Sequence, residues 1–174
     1  MDNPAIVHLL RLVHVLGGVL WVGTVVFLAG FLLPSVRAAG PAGGPIMQQL
    51  VQARRLPLWL MGVAILTVLS GIGLYWRDSA GFTSAWLASG QAQVFGLGGV
   101  LALSAVILGM AVNSPAGKQL GELTARLHAA GRPPAPDEVA TLEALQRKLA
   151  RATTVAAVLL VLAAAAMAVA RYVP

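Results

Sequence analysis

Residues 5–33 read AIVHLLRLVHVLGGVLWVGTVVFLAGFLL, an apolar and glycine-rich run whose only ionisable groups are His8, Arg11 and His14. As a helix rising about 1.5 Å per residue, it would reach about 43 Å, against about 30 Å for the hydrocarbon core of a bilayer. Three more apolar runs follow, at about 56–76, 94–112 and 152–173. Each approaches or exceeds the roughly 20 residues that a transmembrane helix needs. The pattern predicts an all-α, polytopic membrane protein. Four transmembrane helices would form an antiparallel bundle, with a short cytoplasmic helical hairpin at about 117–151 between the third and fourth.

Composition agrees. Charged residues make up 10% of the chain, far below the roughly 25% of soluble domains, and they crowd into the connections. One single-domain bundle over residues 1–174 leaves no room for a separate catalytic domain. No cysteine is present, which removes disulfides, thiolate ligands and c-type haem attachment. The opening Met-Asp-Asn-Pro has no basic n-region, so the first run is expected to be a retained helix rather than a cleaved signal.

The net charge of +6 is no sign of nucleic-acid binding, because its distribution is topological. Arg37, Arg54 and Arg55 lie in the first connection. Lys118, Arg126, Arg132, Arg147, Lys148 and Arg151 lie in the third, and the second has only Arg77 and Asp78. The positive-inside rule then puts the first and third connections in the cytoplasm and both termini outside. The expected location is a bacterial inner (plasma) membrane with periplasmic termini. Arg54, Arg55, Lys148 and Arg151 would ring the inner surface, where anionic lipids are the expected companions.

Along the chain, Pro34 is expected to end helix 1, and Ile46 to Arg55 to form a short amphipathic helix feeding helix 2. Trp59, Tyr75 and Trp76 occupy aromatic-belt positions, and Phe82 to Leu87 reads as an interfacial segment. Asn113-Ser114-Pro115-Ala116-Gly117 is expected to break helix 3. The hairpin beyond it has apolar stripes at Leu120, Leu123 and Leu127, and at Val139, Leu142, Leu145 and Leu149. Asp137 or a residue nearby is expected to cap its second arm, which has no breaker before helix 4 and is expected to continue into it.

Candidate chemistry concentrates on helix 1. His8, Arg11 and His14 fall within about a third of its circumference. His14 would lie about 9 Å deeper than His8, with Trp21 near mid-bilayer. Ionisable groups at such depth have partners or functions. A neutral imidazole suits an axial haem ligand, Arg11 could face a propionate, and Trp21 could stack on a flat cofactor. Met167 on helix 4 should share the depth of His14, which makes a His–Met haem b site conceivable. A bis-histidine site within one chain is not, because His8 and His14 share a helix and His128 belongs to the opposite side. Copper would use His14 and His8, with methionine as a soft ligand. No carboxylate falls inside a span, which argues against proton pumping.

The pattern His14-Val-Leu-Gly-Gly-Val-Leu-Trp21-Val-Gly23, with Phe27 and Leu33-Pro34-Ser-Val-Arg37 after it, resembles the first helix of the copper-resistance protein D-like superfamily of small integral membrane proteins. Arg54-Arg55 and Leu69-Ser70-Gly71-Ile-Gly73-Leu are similar to four-helix members of that group. A related branch holds the haem-associated protoporphyrinogen oxidase, and there the resemblance implies haem binding at His14. This chain lacks the later-helix lysine of that branch, and the oxidase reaction is not expected of it.

Three functions stay open. The first is a non-catalytic accessory subunit of a larger membrane complex, respiratory or otherwise concerned with electron transport, with no cofactor of its own. The second is a b-type haem protein, and the third a copper-handling permease component.

Overall fold

Pro4 opens the first helix of the computed structural model, which describes residues 3–173 and holds no strand among them. A proline in the first turn gives up only an N–H that would lack a partner anyway, and the Asn3 side chain accepts the Ala5 N–H at 2.9 Å. Helix α1 (Pro4–Phe27) continues through a π-helical turn, Leu28–Leu32, into α2 (Leu33–Ala38). Helix α3 (Gly43–Gln48) and a second π-turn, Gln49–Ala53, complete the first connection. Then come α4 (Leu56–Asp78), α5 (Ser84–Leu87) and α6 (Gly90–Leu108). A third π-turn, Gly109–Asn113, leads from α6 into α7 (Ser114–Ala130), and α8 (Pro136–Val169) follows. Four continuous runs, Pro4–Ala38, Leu56–Asp78, Gly90–Ala130 and Pro136–Tyr172, are each long and apolar enough to cross a membrane.

Two expected breaks are absent for one physical reason. Neither Pro34 nor Pro115 ends its helix; each sits in the first turn after a π-turn. A proline ring collides with the carbonyl four residues back and offers no N–H. Widening the preceding turn to i→i+5 spacing relieves that collision, so the helix continues instead of stopping. Before Pro57 the chain does break, with Arg55 left-handed at φ 50°. The hairpin at about 117–151 is therefore continuous with the spans at both arms, at the second as expected and at the first through the π-turn. Its first arm is the extension of α6 through α7, its second arm is the start of α8, and the chain reverses between Ala130 and Pro136.

The cap of α8 falls at Ala135, two residues before Asp137, and Glu138 supplies its side-chain bond. The Glu138 carboxylate accepts the Ala135 N–H at 2.8 Å and also holds Arg132 through two contacts of 2.8 and 2.9 Å. The Arg132 hydrogen bond, followed by the Ala135 N–H, keeps the Glu138 carboxyl below the usual carboxylate range. A carboxyl with a depressed pKa contributes stability above its unfolded value and loses it as pH falls through its folded one. Hydrogen-exchange protection of the first turn of α8 should therefore hold down to the usual carboxylate range and fade below it. Glu138→Gln should weaken protection at neutral pH and remove that acid-dependent step.

Packing is tightest within two helix pairs, α1 with α4 and α6 with α8, which are joined chiefly where α1 meets α8. The centre holds Trp21 and Val25 from α1, Ala64 from α4, Ala105 from α6, and Ala156, Ala157 and Leu160 from α8. Alanines dominate because lipid supplies little hydrophobic drive between helices, so attraction comes from close backbone approach. The fourth run has 33% of its most apolar window buried against 11% for the first, which makes α8 the central helix. Leu9, Leu16, Leu20, Phe27 and Phe31 face outward from the α1 run, as lipid contact requires.

At the end carrying the termini, Ala80, Gly81 and Phe82 all take positive φ and reverse the chain around Ser79. The fully buried Ser79 hydroxyl donates to Trp76 O and accepts the Phe82 N–H. Tyr75 stands edge-on to Trp86, with ring centroids 4.9 Å apart, and donates to Ala92 O at 3.2 Å.

Candidate functional site

One face of α1 meets α4 in a seam where each large group opposes a small one. Leu10 packs over Gly73, the His14 ring lies on Gly71, and Gly17 faces Thr67. A methyl group at Gly71 would come within 2.7 Å of His14 Cε1 and 3.0 Å of Nδ1. The glycine therefore makes the recess that admits the imidazole. The Gly71-Ile-Gly73 spacing accepts two α1 side chains, His14 and Leu10, which are one helical turn apart.

Within that recess His14 Nδ1 lies 2.8 Å from the Thr67 carbonyl. A carbonyl can only accept, so Nδ1 carries a proton, and a neutral ring held this way has its lone pair on Nε2. The Ser70 hydroxyl donates its one hydrogen to Leu66 O at 2.6 Å, with the Thr67 carbonyl 3.0 Å away as the other acceptor within its reach. Thr67 Oγ1 donates to Val63 O at 2.8 Å. Thr67 and Ser70 are both buried, so their polar atoms are satisfied within the seam and α4 presents His14 with one fixed acceptor.

The other expected site residues go elsewhere. His8 and Arg11 are exposed on α1, and His14 is half-buried. Trp21 is 6% exposed and belongs to the central cluster, packed among helices rather than lining an open face. Met167 is taken up by α6, with Gly98 so close that a methyl group there would meet Met167 Cγ at 3.0 Å. The clefts at Ala29–Thr154 and at Ser104–Leu159 do not include His14 among their walls. Among the described residues no group of three His, Asp or Glu side chains is placed to hold a metal ion. Thr67 and Gly71 are the partners of His14 that sequence reasoning missed. The only hint is a Thr-x-x-Ser-Gly spacing on the neighbouring span.

An all-α bundle with four membrane-crossing helices and a single imidazole pinned at the seam of two of them defines the class: a small polytopic membrane protein. Comparison of the chain with protein-family models, with curated proteins and with solved structures returned no match. The likeness of helix 1 to the copper-resistance protein D-like group accordingly rests on the sequence pattern alone.

Proposed function

We propose that this chain is a non-catalytic integral membrane subunit that docks a partner subunit against the polar side of α1, with its termini on the outer face of a bacterial plasma membrane. The supporting observation is that His8 and Arg11 face away from the bundle, with no ion pair to either among the described residues. Ionisable groups inside a membrane run normally pair or face a protein interior, and a partner helix supplies both. The nine basic residues of the first and third connections support the orientation.

A second reading is favoured by the tautomer of His14. An Nδ1–H held by a carbonyl is the arrangement that orients a histidine whose Nε2 ligates a metal. His14 therefore fits an axial haem ligand, and Arg11, one turn away, fits a propionate partner. Met167 does not fit as the opposite ligand, since it is packed on Gly98. The remaining walls of a haem pocket would have to come from a partner chain, so the second reading contains the first. No separate observation favours copper.

Purification from the native membrane in mild detergent tests both. A constant companion that is retained by the wild type and lost at least tenfold in His8→Ala/Arg11→Ala, with helicity unchanged, is the expected result. Recovery of a lone chain in both cases would overturn the proposal. A reduced-minus-oxidised haem b band that disappears in His14→Ala would establish the second reading.

A further inference from the structure

At the end of the bundle opposite the termini, a cleft of about 340 Å³ opens between the α1–α2 run and α8. Ala29, Leu33, Pro34 and Arg37 form one wall, and Ala150 and Thr154 the other. Its origin is local. The π-turn at Leu28–Leu32 and Pro34 widen the helix at this level, while alanines on both walls leave the gap unfilled. Its floor is apolar. At its mouth stands Arg37, exposed in the last turn of α2, with no carboxylate paired to it among the described residues. The Thr154 hydroxyl donates its one hydrogen to Ala150 O at 2.9 Å, so it adds no second donor. Arg151, exposed and likewise unpaired, follows Ala150 on α8.

We infer that this cleft is a binding site for a single anionic phospholipid, with the acyl chain along the Ala29–Leu33–Ala150 floor and the phosphate on the Arg37 guanidinium. Charge and shape point to one occupant. A guanidinium offers a planar fork of donors that matches phosphate oxygens. The apolar floor beneath it has no use for a free anion. At this end the carboxylates of Glu122, Glu138 and Glu143 are already paired to Lys118, Arg132 and Arg147, and nine basic residues against four acidic ones in the first and third connections leave it strongly positive. The level is also right: the first run spans 35 residues, about 15 more than the hydrocarbon core needs, so Arg37 at its end reaches the headgroup region while Ala29 stays among acyl chains. The site is independent of the α1 polar face and of any partner there.

The test is native mass spectrometry of the full chain in detergent, titrated separately with phosphatidylglycerol, phosphatidylcholine and inorganic phosphate. Phosphatidylglycerol should bind with one-to-one saturation and at least tenfold more tightly than phosphatidylcholine. Arg37→Gln should weaken it about tenfold, the loss of one charge-assisted contact. Ala29→Phe, which fills the floor and keeps the charge, should weaken it as much, while circular dichroism and thermal midpoint show both variants folded. Millimolar phosphate should not displace the lipid. Displacement by phosphate alone would make this an anion site and overturn the lipid assignment. Equal binding of the two lipids, or binding that Arg37→Gln and Ala29→Phe leave intact, would overturn it as well.

Discussion

Replacing Gly98 with leucine should be the most damaging single change in the bundle, and replacing its neighbour Gly99 with leucine should be nearly silent. A Cβ at Gly98 would stand 3.0 Å from Met167 Cγ and 3.2 Å from the Ala163 carbonyl. The methionine is flexible and can retreat. The carbonyl belongs to the backbone of the central helix and cannot, so any side chain must push α6 off α8. Gly98→Ala should cost about 1–3 kcal/mol, the usual range for overpacking, and leucine more. Gly99 has nothing within 4 Å of its would-be Cβ, and a leucine there points to lipid. Folded fraction against SDS in mixed micelles, read by circular dichroism, separates the two. Equal effects at the two positions would mean that α6 and α8 do not approach as closely as described.

This pair of glycines shows where sequence reading reaches and where it stops. The four spans were legible because crossing a bilayer is a demand on length and composition, and both are written along the chain. Gly96, Gly98 and Gly99 identify a thin helix, but only the neighbour decides which of them is indispensable. Depth was legible and rotation was not. Met167 could be placed at a level by counting residues, yet whether it turns toward α1 or α6 depends on α8 occupying the centre of the bundle. His14 was legible as an ionisable group out of place. Its acceptor was not, because the Thr67 oxygen it meets is a main-chain carbonyl, a group that every residue carries. Pro34 and Pro115 were misread for a related reason. A proline is locally a helix breaker, and only a widened turn held between packed helices lets the helix pass through it.

Gly17→Ala should destabilise the α1–α4 seam by about 1–3 kcal/mol, and Thr67→Ala should largely rescue it. The added methyl would collide with Thr67 Oγ1. Rotating the threonine does not help, since a β-branched side chain would bring its methyl toward the same space and give up the bond to Val63 O. Thr67→Ala alone removes one intrahelical hydrogen bond and should cost at most about 1 kcal/mol. The double variant should therefore be more stable than Gly17→Ala alone, with a coupling of about 1–2 kcal/mol in the SDS titration. Additive effects would deny that the two positions touch. Gly23→Ala, whose surroundings are open, serves as the neutral control. The same cycle reports on His14, because the residue displaced by the methyl is the one whose carbonyl holds Nδ1. In Gly17→Ala the imidazole should lose its single tautomer, visible as averaged 15N shifts of Nδ1 and Nε2, and the double variant should restore the Nδ1–H form. A ring that keeps one tautomer in all three variants would mean that its acceptor is something other than Thr67. The orientation of Nε2 would then owe nothing to the glycine–threonine contact one turn deeper in the seam.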